Sequence, residues 1–494
     1  MPLNPTISTQ PTNYSPVFGD LWFQLQSSSY SVANYKYVFD LYKINPVTSV
    51  QSQLGRYKVP PAPDTYGLFN PARILQTQMT YDLQPTITGA AAAAKSITDY
   101  KINTGFEWQP NYRFANTFNS ATYLGLTFSF IHDLQVNDTI VISKDDRTTN
   151  FEYNGTTTIT AIVSSYSVRT AKAYQATLVN AEQGTITTQL RMTGSSSTLS
   201  TFNGVRQYVN EGLNYGTSST YLITGQVPYG STFSLTNYRF CNATPTYTGS
   251  KVVELNDYET LSYLIDNSAG LINQIQLQLY DANLNVTNTF TASYSLNSIY
   301  KRIDLGTGPM NLKALFGSGV FNTNPLYYTV CLTATDPTKR FGIYSYKIKD
   351  NDPRANCSPY PKIRLCWLNQ LGGFDYYTFN FKSKNSINVS KTEFKRELAW
   401  NYTVGERQDY VLATKANEMW QISSDFITEN ESNWVKEMLQ SPEVYMLNVN
   451  GTSVQKLPII ITDTAYEVKT YLTDKLFALT VNFKYAYPLR SQQS

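Results

Sequence analysis

Apolar side chains recur in this sequence at every second position. Tyr35, Tyr37, Phe39 and Leu41 alternate with their neighbours. Ile275, Leu277 and Leu279 alternate with Gln276 and Gln278, and read as a half-buried strand. Phe477, Leu479, Val481, Phe483, Tyr485 and Tyr487 repeat the pattern near the end. A period of two puts successive side chains on opposite faces of an extended chain, so such stretches bury one face only within a sheet. The 39 Tyr and 24 Phe suit a pleated, half-buried surface. The 25 Gly and 22 Pro, with abundant Ser, Asn and Thr, supply turns. A chain of 494 residues has room for several cores. The reading is an all-β, multidomain protein: β-sandwich domains with an inserted small β-barrel or hairpin module, and one amphipathic helix near the C-terminus.

Residues 1–16, with proline at 2, 5, 11 and 16, read as an extended N-terminal arm. Residues 17–120 and 191–245 read as one β-sandwich domain, interrupted by a small β module at 121–190. Asn154-Gly155 reads as a type I′ turn in that module. Residues 246–350 read as a second β-sandwich domain, and 351–494 as a C-terminal β domain. Asn70 as cap with Pro71 at the first helical position marks a short helix over Pro71–Met79. Gly89 with Ala90–Ala94 reads as a small-residue link, and Asn311–Phe316 before Gly317 as one helical turn with a glycine stop. The clearest helix is 429–440. Thr428 and Glu431 make a capping box, Trp434, Val435, Met438 and Leu439 share a face, and Ser441-Pro442 ends it.

Charged residues make up only 15% of the chain, against about 25% on average. A surface of neutral polar and aromatic groups is closer to an interface than to a monomer's coat. The net charge of +3 is too mild to signal a nucleic-acid partner. His132 is the only imidazole, and there is neither a P-loop nor a nucleophile elbow. Asp145-Asp146, Asp257 with Glu259, and Asp350 with Asp352 could supply the carboxylate pair of a glycosidase, yet read as solvated loop acids. Arg354 and Ala355 stand where a calcium loop after Asp350 needs a ligand and a glycine. Trp108, Tyr327-Tyr328 and Tyr376-Tyr377 could stack on sugars, and residues 339–349 alternate basic with aromatic groups as a nucleic-acid platform does. Sheet core is the default for all of them. Cys241, Cys331, Cys357 and Cys366 have no CxxC spacing and read as free, mostly buried thiols. No catalytic residue, cofactor or metal is expected. The N-terminus lacks the features of a secretory signal and no run of 18 apolar residues occurs, so neither secretion nor membrane contact is expected.

Several stretches carry a resemblance. Residues 363–381, IRLCWLNQLGGFDYYTFNF, with Trp367, Asn369, Gly372-Gly373 and Asp375, are similar to a strand–turn–strand element of virion structural proteins of tailed phages, including crAss-like phages. Residues 431–447, ESNWVKEMLQSPEVYML, resemble the same proteins, as do 35–45 and 66–79. HDLQVNDTIVI with YNGTTTITAI looks like a small β module common in phage tail and adhesion proteins. The resemblance implies a virion component of the tail or neck, made in the host cytoplasm, and brings no catalytic residues. The chain lacks the collagen-like, coiled-coil and β-helix repeats of long fibres, which favours a compact ring, hub or adaptor subunit. The expected partners are copies of itself, with a ring foremost, and other tail or portal proteins. Nucleic acid enters only as DNA passing through a tail lumen. Trp367, Phe374, Tyr376, Tyr377 and Trp434 are the expected interface or core anchors. The alternative reading is a host-surface receptor- or glycan-binding tail protein.

Overall fold

A computed structural model describes residues 4–110, 112–120, 123–143, 154–172, 184–205, 222–224, 251–266, 272–294, 301–334, 340–353, 360–427, 429–450, 453–463, 477–488 and 490–493. The chain is all-β, with several sheets, a closed six-stranded barrel and one short helix near the C-terminus. It divides into two units. The first takes the chain up to Met79 and from Thr98 to Phe202. The second takes Thr80–Ile97 and the described residues from Asn203 onward. Among the described residues no helix is long and apolar enough to cross a membrane.

The first unit opens with β1 (Thr6–Thr9), β2 (Ser15–Pro16), β3 (Phe23–Gln26), β4 (Lys36–Ile44), β5 (Gln51–Val59), β6 (Gly67–Phe69) and α1 (Ala72–Gln76). The N-terminal stretch is extended, but it is not a free arm. β1 pairs antiparallel with β3 of the same chain, and Tyr14 and Val17 are buried. The helix is shorter than the sequence suggests. Asn70 Oδ1 accepts the Ala72 N–H at 3.0 Å. Past Gln76, however, the N–H groups of Thr77, Gln78 and Met79 bond three residues back, a tighter winding that ends the α-helix.

The chain visits the second unit as β7 (Ala90–Ala92). It returns to the first as β8 (Ile97–Trp108), β9 (Tyr112–Ser120), β10 (Tyr123–Phe128), β11 (Thr139–Ser143), β12 (Gly155–Ser164), β13 (Ser167–Thr170), β14 (Gly184–Ser195) and β15 (Leu199–Phe202). β8 pairs with β4 and β14, and Phe23, Tyr37, Phe39, Tyr100 and Phe106 pack on this sheet. The Phe106 and Trp108 rings stack at 4.6 Å, so Trp108 is core and not a sugar platform. β9 to β14 close the barrel in the order β9-β10-β13-β12-β11-β14 and back to β9. Closure removes the sheet edges. It is tight at Gly184, where a Cβ would lie 2.5 Å from Cζ of Phe114. Leu124, Phe128, Ile140, Ile159 and Ile186 fill the interior. Asp138 is buried and satisfied by Arg191 Nε at 2.9 Å, Gln189 Nε2 at 2.7 Å and the Gln135 N–H at 2.8 Å. Asn154-Gly155 is not a two-residue hairpin turn. Gly155, at φ +103°, starts β12, whose partners are β11 and β13. The only histidine, His132, is buried on the barrel, its Nε2 3.1 Å from the Ser164 carbonyl. Asp145-Asp146 lies outside the described residues.

The second unit continues with β16 (Leu222–Thr224), β17 (Lys251–Val253), β18 (Thr260–Asp266), β19 (Ile272–Tyr280), β20 (Val286–Ser293), β21 (Arg302–Gly306), α2 (Pro309–Phe316), β22 (Tyr327–Ala334) and β23 (Arg340–Ile348). It ends with β24 (Ile363–Leu368), β25 (Phe374–Phe379), β26 (Ser383–Lys395), β27 (Asp409–Ile427), α3 (Glu429–Gln440), β28 (Val444–Asn450), β29 (Ser453–Ile461), β30 (Phe477–Tyr485) and β31 (Arg490–Gln493). Three sheets result, in the orders β16-β18-β21-β7, β17-β23-β22-β19-β20 and β25-β24-β28-β29-β30-β27-β26, with β31 also on β27. The alanine stretch is a strand rather than a link. Ala90–Ala92 pair with Leu305–Ile303, and Asn311 Nδ2 holds the preceding turn through the carbonyls of Pro85 and Ile87, at 2.7 and 2.8 Å.

β19 is not half-buried either. It sits between β20 and β22, and Gln276 and Gln278 are as inaccessible as the apolar set. Tyr280 and Arg340 donate to Gln278 Oε1, which satisfies the buried amide oxygen. Two rings of the 339–349 stretch are also interior. Tyr344 and Tyr346 are buried, with Tyr346 stacked on Tyr328 at 4.8 Å, so these two offer no base-stacking platform. Gly317, at φ +102°, stops α2 as expected. α3 lays Trp434, Val435 and Met438 into the core of the C-terminal sheet.

Candidate functional site

The aromatic anchors named from sequence all lie on β24, β25 and α3. β24 and β25 are antiparallel, with Trp367 opposite Asp375 and Cys366 opposite Tyr376. Alternation splits the set between two cores. Trp367 and Tyr377 face Trp434 of α3, with ring centroids 5.4 and 6.0 Å from it. Phe374 and Tyr376 face the other way, onto Leu83, Cys366 and Leu447. Trp367, Phe374, Tyr376 and Trp434 are buried and Tyr377 half-buried. A side chain already buried in its own chain offers little to a partner. Cys331 and Cys366 are free, buried thiols, and burial pushes Cys331 up to about 12. Cys241 and Cys357 lie outside the described residues.

Behind Tyr376 sits a charge network that the sequence did not reveal. Asp257 and Glu259, expected as solvated loop acids, are buried, Glu259 completely. Arg364 on β24 donates to Asp257 Oδ2 at 2.9 Å, to Glu259 Oε2 at 3.0 Å and to the Tyr258 carbonyl at 3.0 Å. Lys251 pairs with the other oxygen of Glu259, and its Nζ lies 5.1 Å from the centre of the Trp434 ring. The Tyr376 hydroxyl meets that of Thr260 at 2.7 Å. Burial pulls the Arg364 pKa down, but Asp257 and Glu259 more than offset it, and the net shift is upward. Two cations face two anions, so the network is balanced and fully used. It holds no poised nucleophile or base. Among the described residues no group of three or more His, Cys, Asp or Glu could hold a metal ion. Asp350 is taken by the Leu255 N–H at 2.6 Å, and Asp352 by Lys347. The sequence signal was Arg364 itself, a charge inside the apolar run IRLCWL, which demands a buried acid.

Asp375 lies beside this network, within reach of the charges on Lys251 and Glu259. It accepts the Trp434 Nε1–H at 2.8 Å. Burial raises its pKa from 3.8 to about 6, against the lowering effect of Lys251 and Trp434. The folded chain therefore binds this proton more tightly than the unfolded chain. Stability from this group is full below the unfolded pKa and falls as pH rises through the window from 3.8 to about 6. Asp375→Asn keeps an acceptor for Trp434 and removes the buried charge. It should stabilise the chain at pH 8 by up to roughly 3 kcal/mol and have little effect near pH 4. Urea denaturation at both pH values checks this, and an equal effect at the two would contradict it.

The exposed feature of the second unit is the hairpin of β26 and β27. From Lys384 to Lys395 every residue of β26 is exposed. The connecting turn carries Trp400, Tyr402 and Val404, with Trp400 at 94% and Val404 at 104% exposure. The turn is nonetheless well built. The Tyr402 N–H donates to the Ala399 carbonyl at 3.0 Å, the Glu406 N–H to Thr403 at 2.9 Å and the Arg396 N–H to Gln408 at 2.8 Å. The rings of Phe394 and Tyr410 stack at 5.4 Å just below it. A turn braced by its own backbone hydrogen bonds while Trp, Tyr and Val stay in water exposes an apolar cluster at the hairpin tip. Sequence reasoning passed over residues 382–427. The available signal was an apolar WNYTV turn flanked by the charged stretches KTEFKRE and ERQD, where turn residues should be polar.

No family model matches the chain, and no curated protein matches it. Among solved structures, an alpha-2-macroglobulin of Salmonella aligns over 97% of the chain at 10% identity with a TM-score of 0.13; the chain spans only 29% of that protein. The endosialidase of phage phi92 aligns over 98% of the chain and 69% of its own length, at 11% identity and a TM-score of 0.15. A trypsin-activated alpha-2-macroglobulin from Escherichia coli gives 8% identity and 0.14, over 94% of the chain and 43% of that protein. TM-scores this low carry no argument about fold or function.

Proposed function

We propose that the chain is a structural subunit of a tailed-phage virion, in the tail or neck, which associates with copies of itself and docks other virion proteins. It acts by assembly and not by catalysis. The observation that carries this reading is the exposed hairpin. A self-supporting arm ending in Trp400, Tyr402 and Val404 places large apolar groups where only a partner can bury them. Two further points support it. The stretches at 363–381 and 431–447 resemble phage virion proteins, and the buried charges of Lys251, Asp257, Glu259 and Arg364 are paired with one another.

A second reading uses the same tip. Trp400 and Tyr402, two residues apart in an exposed turn, could stack on a host-surface glycan. Negative-stain microscopy of the purified full chain, with a glycan-binding screen beside it, separates the two. The assembly reading expects closed oligomers and no saturable glycan binding. A monomer that binds host envelope glycan would replace it with the receptor reading.

A further inference from the structure

We propose that two copies of this chain pair through the open edge of β26, forming one antiparallel sheet about a two-fold axis at Val389. The proposal rests on the self-association part of the reading above and names its surface. β26 is 13 residues long and, among the described residues, only β27 pairs with it. At about 3.3 Å per residue its outer edge runs some 40 Å, a long row of backbone groups without a strand partner. That edge is regular. The one irregularity of the hairpin puts the extra residue, Leu412, on β27, between the partners of Thr392 and Glu393. Exposed edges are usually guarded by lysines that repel a second strand, and β26 carries Lys384, Lys391 and Lys395.

The guard fails against its own copy. The register that overlaps all of Ser383–Lys395 has its midpoint at Val389. There Lys384 faces Phe394, Asn385 faces Glu393, Ser386 faces Thr392, Ile387 faces Lys391 and Lys395 faces Ser383. No like charges meet. Val389 and Ile387, both exposed, lie on one face and cluster at the axis. Moving the midpoint to Ser390 would set Lys384 against Arg396. Self-complementarity of this kind selects a second copy over an unrelated strand. Such pairing is isologous, so a ring built from these pairs has dihedral symmetry.

The test is mild oxidation of the full chain carrying Val389→Cys, with Ile387→Cys and the unmodified chain as controls. Opposed residues on the axis have Cα atoms about 4.5–5.5 Å apart, within disulfide reach. The two copies of residue 387 are offset by four positions, about 13 Å, and out of reach. The expected result is a disulfide-linked dimer for Val389→Cys alone, and for an equal mixture of the Ile387→Cys and Lys391→Cys chains. Equal linking of Ile387→Cys by itself, or no link above the unmodified chain, overturns the proposal. As a second measurement, Val389→Lys sets two cations together at the axis and should weaken dimerisation in sedimentation by about tenfold or more. An unchanged dimer constant would also overturn it. Oligomers that persist without the Val389→Cys link would leave self-assembly standing and remove only this surface.

Discussion

Gly372→Ala should leave the second unit largely unfolded, with a loss of about 4 kcal/mol or more. The residue sits at φ +79° in the turn between β24 and β25, a conformation that costs an alanine about 1 kcal/mol or more by itself. The larger effect is steric. A Cβ there would lie 1.5 Å from the Asn203 carbonyl oxygen, so backbone must move. That backbone is a crossing point. Asn203 donates its N–H to the Ser96 carbonyl at 2.9 Å and its Nδ2 to Thr80 at 3.2 Å, and the Val205 N–H reaches the Gln370 carbonyl at 2.7 Å. The buried Arg302 donates to the carbonyl of Gly372 itself. Asn369 Oδ1 shapes the turn by accepting the N–H groups of Leu371 and Gly373, both at 3.0 Å. Displacing Asn203 therefore strains the 80–97 strap, β21 and the β24–β25 turn together. Gly405→Ala is the control, because an added Cβ meets nothing within 4 Å there. It should change stability by no more than about 0.5 kcal/mol in the same denaturation series. Equal, small effects at the two glycines would show that Asn203 does not pack as described.

Trp400→Ser with Tyr402→Ser should have the opposite profile: stability unchanged and docking lost. Both side chains lie largely in water, so their removal costs the fold little. If they are the aromatic anchors of a virion contact, each is worth about 2 kcal/mol, or roughly thirtyfold in affinity. The double variant should then enter particles at least a hundredfold less than the parent, by quantitative blotting of purified particles. Val389 lies away from the tip, so pairing through β26 should survive. Normal incorporation of the double variant would remove the hairpin tip from the account.

The strand patterns were legible because sheets impose a period of two. β4, β19 and β30 lie where alternation placed them. α3 was legible because apolar face and proline stop agree locally; Thr428 of the expected cap lies outside the described residues. Three things were not. The Ala90–Ala92 strand has no period to read, and Asn311, more than 200 residues away, helps fix it. The acids Asp257 and Glu259 look solvated until the fold brings Arg364 to them, 105 residues on for Glu259. The hairpin tip inverts the usual rule for turns. Its apolar residues stay exposed because nothing in this chain covers them among the described residues, and local pattern reasoning assigns such residues inward. What sequence reasoning named as anchors proved to be interior, and the surface most open to partners was the stretch it passed over.

The central claim is that this chain is part of a virion. The most direct test is gold labelling of intact particles from the producing culture, with antibody raised against the full chain and particle-free lysate as control. The account predicts label at the tail or neck. Label absent from every particle, with the protein recovered free or on cell surfaces, would contradict it.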